Sequence, residues 1–171
     1  GVSEMLNIPL GDFNRGTLGQ PSFEWQGQRI APNICYEDLF GEELAARFAD
    51  PAQAPTVLVN FSNIGWFGNT LAVDQHLQIS RMRALELERP MVRATNTGAT
   101  VIIDHRGVVT HALERFSRGV LRGEVHGRGL GVSGDAGITP FAWWASRWGL
   151  WPLWLLAGLG VAAGWLGRRR R

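Results

Sequence analysis

The stretch Gln28-Arg29-Ile30-Ala31-Pro32-Asn33-Ile34-Cys35-Tyr36-Glu37-Asp38 decides how the chain reads. Residues 28–34 form a strand-like run, and the run breaks into a turn at the sulfur. Cys35 is the only cysteine in 171 residues. It has no partner for an internal disulfide, and one cysteine is too few for a thiolate metal site. It is therefore either a packing residue, as free cysteines often are, or a nucleophile. A strand end projects a side chain into a cleft with little backbone freedom, and an acid follows two positions on. Both features favour the nucleophile. A thiolate in that place uses the next backbone N–H, that of Tyr36, as an oxyanion donor. Glu37 is placed to orient the loop or to hold a substrate amine.

Upstream, residues 1–27 are polar and rich in glycine and proline, and read as a loop. Downstream, a short helix is expected over 41–49, with Glu42 and Glu43 in its first turn. The apolar run at 56–60 reads as a buried strand. Residues 72–89 form the strongest helical pattern, with Val73, Leu77, Ala84 and Leu87 on one face and Pro90 ending it. Strands follow at 91–94 and 100–103. Asp104-His105-Arg106-Gly107 is a turn, and 108–113 returns from it as a hairpin partner. A further strand is expected over 119–125, and a glycine-rich connection over 126–140. Strands alternate with helices early and hairpins come late, which predicts a mixed α/β domain.

Two other motifs are candidates for chemistry. Asn60-Phe61-Ser62-Asn63-Ile64-Gly65-Trp66-Phe67-Gly68 follows a strand. Asn60 and Asn63 suit bonds to backbone that stiffen a loop, and Trp66 and Phe67 suit either an acyl pocket or an aromatic pin. His76 near the start of the long helix is an acid–base group or a structural histidine. Thr95-Asn96-Thr97-Gly98 forms a tight turn at a strand end.

The C-terminal part has a different composition. No charged residue lies between Arg147 and Arg168. A helix over 148–167 spans roughly 30 Å, the thickness of a bilayer core. Trp143, Trp144, Trp148, Trp151 and Trp154 crowd one end and Trp165 marks the other, as in interfacial aromatic belts. Four arginines, 168–171, follow, and the positive-inside rule puts them in the cytoplasm. Residues before Arg147 then face the opposite side. The expected organisation is a domain over 1–140, a juxtamembrane linker at 141–147, a transmembrane helix at 148–167 and a basic tail at 168–171. Seventeen basic residues, every one an arginine, against fifteen acids leave a net charge of +2. No nucleic-acid partner follows from that balance. Nothing in the chain calls for a metal or cofactor, and no mechanism that needs a lysine is complete within it.

Taken in order, Ile34-Cys35-Tyr36-Glu37, Asn63 with Trp66-Phe67-Gly68, Gln75-His76, Arg81-Met82-Arg83-Ala84-Leu85-Glu86, Arg89-Pro90, Thr95-Asn96-Thr97-Gly98 and Gly137-Ile138-Thr139-Pro140 resemble the nitrilase (carbon–nitrogen hydrolase) superfamily. The terminal apolar helix narrows the resemblance to its apolipoprotein N-acyltransferase family. The resemblance implies a nitrilase-type α-β-β-α sandwich, here partial, on the periplasmic face of a bacterial inner membrane. It implies Cys35 as nucleophile, taking a fatty acyl group from a phospholipid as a thioester. The acceptor it implies is the diacylglyceryl-cysteine amine of an apolipoprotein. Tyr36 and Glu37 match positions that the family requires beside the cysteine, and Trp66 matches an aromatic of a mobile loop. The base glutamate and the lysine of the family lie upstream of the cysteine. Glu4 and Glu24 stand in the wrong context for that base, so the isolated chain is expected to be an inactive fragment. Where the family has aspartate after the asparagine, this chain has Ile64. Two alternatives remain at this stage, a membrane-anchored amidase of nitrilase type and a non-catalytic membrane-anchored domain.

Overall fold

The computed structural model describes residues 16–132 and 137–169. Residues 1–15 of the loop expected over 1–27, residues 133–136 of the glycine-rich connection, and Arg170 and Arg171 lie outside the described residues. Six strands form one sheet in chain order: β1 (Phe23–Trp25), β2 (Gln28–Ile34), β3 (Val57–Ser62), β4 (Met91–Thr95), β5 (Val101–Ile103) and β6 (Val109–Ala112). β2, β3 and β4 are parallel, and the outer pairs are antiparallel. Parallel neighbours need a crossover, and helices supply it. Helix α1 (Gly41–Ala45) and a 3-10 turn (Ala46–Phe48) lie between β2 and β3, and α2 (Leu71–Leu87) lies between β3 and β4.

Alternation along the strands sorts the faces. Ala31 and Asn33, Leu58 and Asn60, and Met91 and Arg93 point to the helices and are buried. Phe48, Val73, Ala84 and Leu87 close over them. On the opposite face the register aligns Ile34, Phe61 and Ala94, all exposed. The described residues thus form one sheet and one helical layer of the expected sandwich.

Four local features depart from the sequence reading. β1 falls inside the expected loop. It pairs with β2 through Gln26 (φ 48°) and Gly27 (φ 75°), the paired positive φ of a tight hairpin turn. Residues 119–125 form no strand. The segment crosses the face opposite the helices, where Gly123 approaches Ile102 and His111, and Gly127 approaches Gln28 and Thr56. A Cβ at Gly127 would sit 1.9 Å from Gln28 Oε1, so a side chain there would displace the Gln28 amide. Helix α2 ends at Leu87, because Glu88 turns left-handed (φ 50°). There the buried Arg89 donates to the Leu87, Glu88 and Pro55 carbonyls, which satisfies groups that the helix end leaves open. Burial lowers its pKa to about 10, with Arg128 adding to the effect.

Residues 141–147, expected as a linker, belong to helix α3 (Pro140–Trp148), capped by Thr139 Oγ1 accepting from the Ala142 N–H at 3.1 Å. Ala142 and Ala145 are buried, and α3 packs on α1. Gly149 (φ 54°) breaks the chain, and α4 (Trp151–Arg169) starts after it at 86° to α3. Among the described residues no single helix is long and apolar enough to cross a membrane, whereas the bent pair together has that length and composition.

Glu86 on α2 gives the fold a pH dependence. Burial raises its pKa from 4.5 to about 7, against the opposing charge of Arg83 and with Glu42 adding to the rise. Arg83 Nε stands 3.0 Å from Glu86 Oε1. The two are placed as an ion pair but not aligned as a hydrogen bond. Between about pH 4.5 and 7 the folded chain holds a proton that the unfolded chain has lost. Stability therefore falls as pH rises through that window, by at most roughly 2 kcal/mol once residual solvent screening is allowed for. Thermal unfolding at pH 5 and pH 7.5 measures this, and Glu86→Gln is expected to flatten the slope.

Candidate active site at the strand ends

In a parallel sheet, ligands meet the carboxyl ends of the strands. β2, β3 and β4 are in register there, and they deliver Cys35, Asn63 and Asn96 to one edge. Cys35 starts a 3-10 turn (Cys35–Leu39) directly after β2. It is half-buried, with φ 53°, a conformation that is rare for a residue with a side chain. Such strain persists only where the surroundings over-determine it.

Here they do. The Cys35 carbonyl accepts from Asn60 Nδ2 at 2.9 Å and from His76 Nε2 at 3.2 Å. Just upstream, the Ile34 N–H donates to Glu37 Oε2 at 2.7 Å. Asn60 is itself fixed, donating to Asn33 Oδ1 and accepting from Ser62 Oγ, each at 2.5 Å. The elbow is thus held from both sides of Cys35, and the sulfur opens on a cleft of about 840 Å³. Pro32, Ile34, Tyr36 and Phe40 give the cleft apolar walls, while Glu37, Glu43 and Arg47 add charge. The Tyr36 phenol has a raised pKa, chiefly from burial and next from Cys35 and Asp38, with Arg93 opposing. It is a neutral ring there. The Tyr36 N–H lies in the first turn of a helical segment, where N–H groups have no partner within the helix.

The second expected loop is ordered differently. Asn63 Oδ1 accepts from Asn96 Nδ2 at 2.7 Å and from the Gly65 N–H at 3.3 Å. The Ile64 N–H donates to Asn96 Oδ1 at 3.1 Å. Asn96 therefore ties the β3 and β4 loops together, a role that the tight-turn reading did not include. Ile64 is buried in the core and packs on Gly98. Phe67 reaches the cysteine neighbourhood through Tyr36, edge-on at 6.0 Å. Trp66 is 68% exposed, and neither it nor Asn63 lines the Cys35 cleft.

Sequence reasoning passed over Asp38 and Arg93, both fully buried behind the elbow. The available signal was strand alternation, which sets Arg93 on the same face as the core residue Met91. Among the described residues no cluster of His, Cys, Asp or Glu is arranged to hold a metal.

A strained, clamped cysteine at the edge of a mixed sheet fits the family comparison. The sequence model of the Carbon-nitrogen hydrolase family matches residues 4–129. The chain belongs to the carbon–nitrogen hydrolase family.

Within the family, the apolipoprotein N-acyltransferase of Verminephrobacter eiseniae is 77% identical over 145 residues, covering 85% of this chain and 27% of that protein. The apolipoprotein N-acyltransferase of Ralstonia nicotianae is 52% identical over 167 residues, covering 98% of this chain and 30% of its own length. The chain thus spans less than a third of the curated relatives it matches. Among solved structures, a mutant Nesterenkonia AN1 amidase from the nitrilase superfamily superposes with a TM-score of 0.53. The match is 18% identical and covers 83% of this chain and 50% of that one. A second amidase structure from Nesterenkonia gives a TM-score of 0.51 at 20% identity over 64% of this chain and 42% of that one. These likenesses bear on the fold, which is the α/β fold of the carbon–nitrogen hydrolases.

Proposed function

We propose that this chain carries the nucleophile of an apolipoprotein N-acyltransferase. The observation behind the reading is the clamped Cys35 elbow in a chain up to 77% identical to proteins of that name. The Cys35 thiolate attacks the sn-1 ester carbonyl of a phospholipid, and the lysophospholipid leaves with the oxygen. The resulting thioester then meets the free α-amine of a diacylglyceryl-cysteine on an apolipoprotein. The amide forms, the thiolate leaves and the amine loses its proton, so the enzyme returns unchanged. The Tyr36 N–H donates to the oxyanion of each tetrahedral intermediate. Glu37 holds the loop through the Ile34 N–H. Asn63, Trp66 and Phe67 form the loop that meets the substrates, with Asn63 stiffening it. By the resemblance, the general base and the lysine come from residues upstream of this segment. The active unit is then the chain joined to them.

The bent pair α3–α4 attaches the domain to a bilayer. Trp143, Trp148, Trp151 and Trp154 are exposed, as interfacial anchors would be. The arginines that follow face the cytoplasm and the Cys35 domain faces the periplasm of the inner membrane.

The test gives the chain, extended upstream as in its longer relatives, a labelled phospholipid and a diacylglyceryl peptide. Label is expected on the peptide amine. Release of the acyl group only to water, with turnover of small amides, would instead mark a membrane-anchored amidase. An inert Cys35 would mark a non-catalytic domain.

A further inference from the structure

Behind Cys35 lies a buried polar chain that the acyl-transfer steps do not use. Asp38 follows the nucleophile on its 3-10 turn, His76 and Ser80 sit one turn apart on α2, and Arg93 comes from β4. All four are at most 1% exposed. His76 Nε2 lies 3.0 Å from Asp38 Oδ1 and 3.2 Å from the Cys35 carbonyl oxygen. On its other side, His76 Nδ1 lies 3.2 Å from the Arg93 guanidinium. Ser80 Oγ donates to Asp38 and accepts from Arg93. Arg93 also donates to the His76 and Ala99 carbonyls, both at 3.2 Å.

The partners assign the tautomer. A guanidinium only donates, so Nδ1 facing Arg93 is the acceptor and Nε2 carries the proton. That N–H is shared between a carboxylate and the carbonyl of the strained cysteine. The imidazole also stacks on the Tyr36 ring, 4.3 Å between centroids and 15° between planes. One side chain thus touches the backbone of the nucleophile and the ring of the residue whose N–H follows it. It does not line the cleft on which Cys35 opens.

We propose that His76 is a positioning residue for Cys35. Its Nε2–H pins the Cys35 carbonyl and so holds the elbow, and Arg93 and Asp38 fix the tautomer and the ring plane. This rests on Cys35 being the nucleophile. It assigns His76 neither proton transfer nor substrate contact.

Two measurements on the full chain in detergent test it. In the ¹⁵N-histidine spectrum at pH 8, His76 is expected as the Nε2–H tautomer with a bare Nδ1. The second reads the rate at which iodoacetamide alkylates Cys35, which as the lone cysteine reports without interference. His76→Phe keeps a ring against Tyr36 but loses both nitrogens, and is expected to slow alkylation at least tenfold as the sulfur leaves the cleft mouth. His76→Gln places an acceptor and a donor on one carbon, as the imidazole places Nδ1 and Nε2 beside Cε1. It is expected to react within threefold of wild type. An Nδ1–H tautomer overturns the proposal, and so do equal rates in the Phe and Gln variants. If His76→Phe does not fold, the wild-type tautomer and the Gln rate decide. Alkylation reads the thiol directly. A chain that forms no acyl thioester but keeps the His76 dependence would therefore refute the acyltransferase reading and leave the positioning role standing.

Discussion

Asp38→Ala is expected to destabilise the domain by about 3–5 kcal/mol, the usual cost of breaking a buried ion pair from one side. Arg93 Nη1 lies 3.5 Å from Asp38 Oδ2, and both side chains are fully buried. Burial already lowers the Arg93 pKa, and Asp38 is the leading group opposing that shift. Without the carboxylate a guanidinium stays in the core without that counter-charge, and Ser80 and His76 each lose the carboxylate as an acceptor. Asp38→Asn keeps an acceptor oxygen and is expected to cost less. The Arg115–Asp74 pair provides the control. It lies at the surface, and Asp74→Ala is expected to leave the unfolding curve unchanged, because solvent screens exposed pairs. Denaturant unfolding of the three variants checks the order.

In the upstream-extended chain, Cys35→Ala is expected to reduce acyl transfer at least a thousandfold, since it removes the nucleophile on which the acyl group is carried. Stability is expected to change by less than about 1 kcal/mol, because the side chain is only half-buried. Cys35→Gly separates backbone from chemistry. Glycine adopts positive φ without a Cβ penalty, so this variant is expected to be inactive but about 1 kcal/mol more stable than Cys35→Ala. Rates measured beside melting curves distinguish a lost nucleophile from a lost fold.

Residues with a local signature were legible in the sequence. The strand at 28–34 has the bounds read from its composition, because the cysteine break and the Gln26-Gly27 turn delimit it on both sides. The hairpin around Asp104 was legible for the same reason. Asp104 Oδ1 accepts from the Arg106 and Val108 N–H groups, both at 2.9 Å, a bond pattern that aspartate makes within a turn. β1 was not legible, since glutamine is seldom the residue that carries a positive φ. Nor was the start of α4, which was expected at 148 but follows the break at Gly149. Apolar content was continuous across that point, and composition does not record a bend.

The site divides along the same line. Cys35, Tyr36 and Glu37 are neighbours in sequence, so one turn brings them together. Asn60 and Asn63 each take the backbone-bonding role expected of them, to Cys35 and to Gly65. The Asp38–His76–Ser80–Arg93 chain was not legible, because its members come from three elements that only the folded sheet and helix α2 bring together. His76, read as an acid–base group or a structural histidine, is fully buried together with Ser80, whereas Arg81 on the same helix donates to Gln78 Oε1 at 3.1 Å and to the Gly107 carbonyl at 2.7 Å.

The central claim, that Cys35 carries a fatty acyl group, is tested most directly by the intact mass of the protein after incubation with a phospholipid of known acyl chains. The upstream-extended chain is expected to gain one fatty acyl mass at Cys35, to lose it to neutral hydroxylamine, and to pass it to a diacylglyceryl peptide when one is added. An unmodified Cys35, or an acyl group attached elsewhere in the chain and insensitive to Cys35→Ala, would contradict the account.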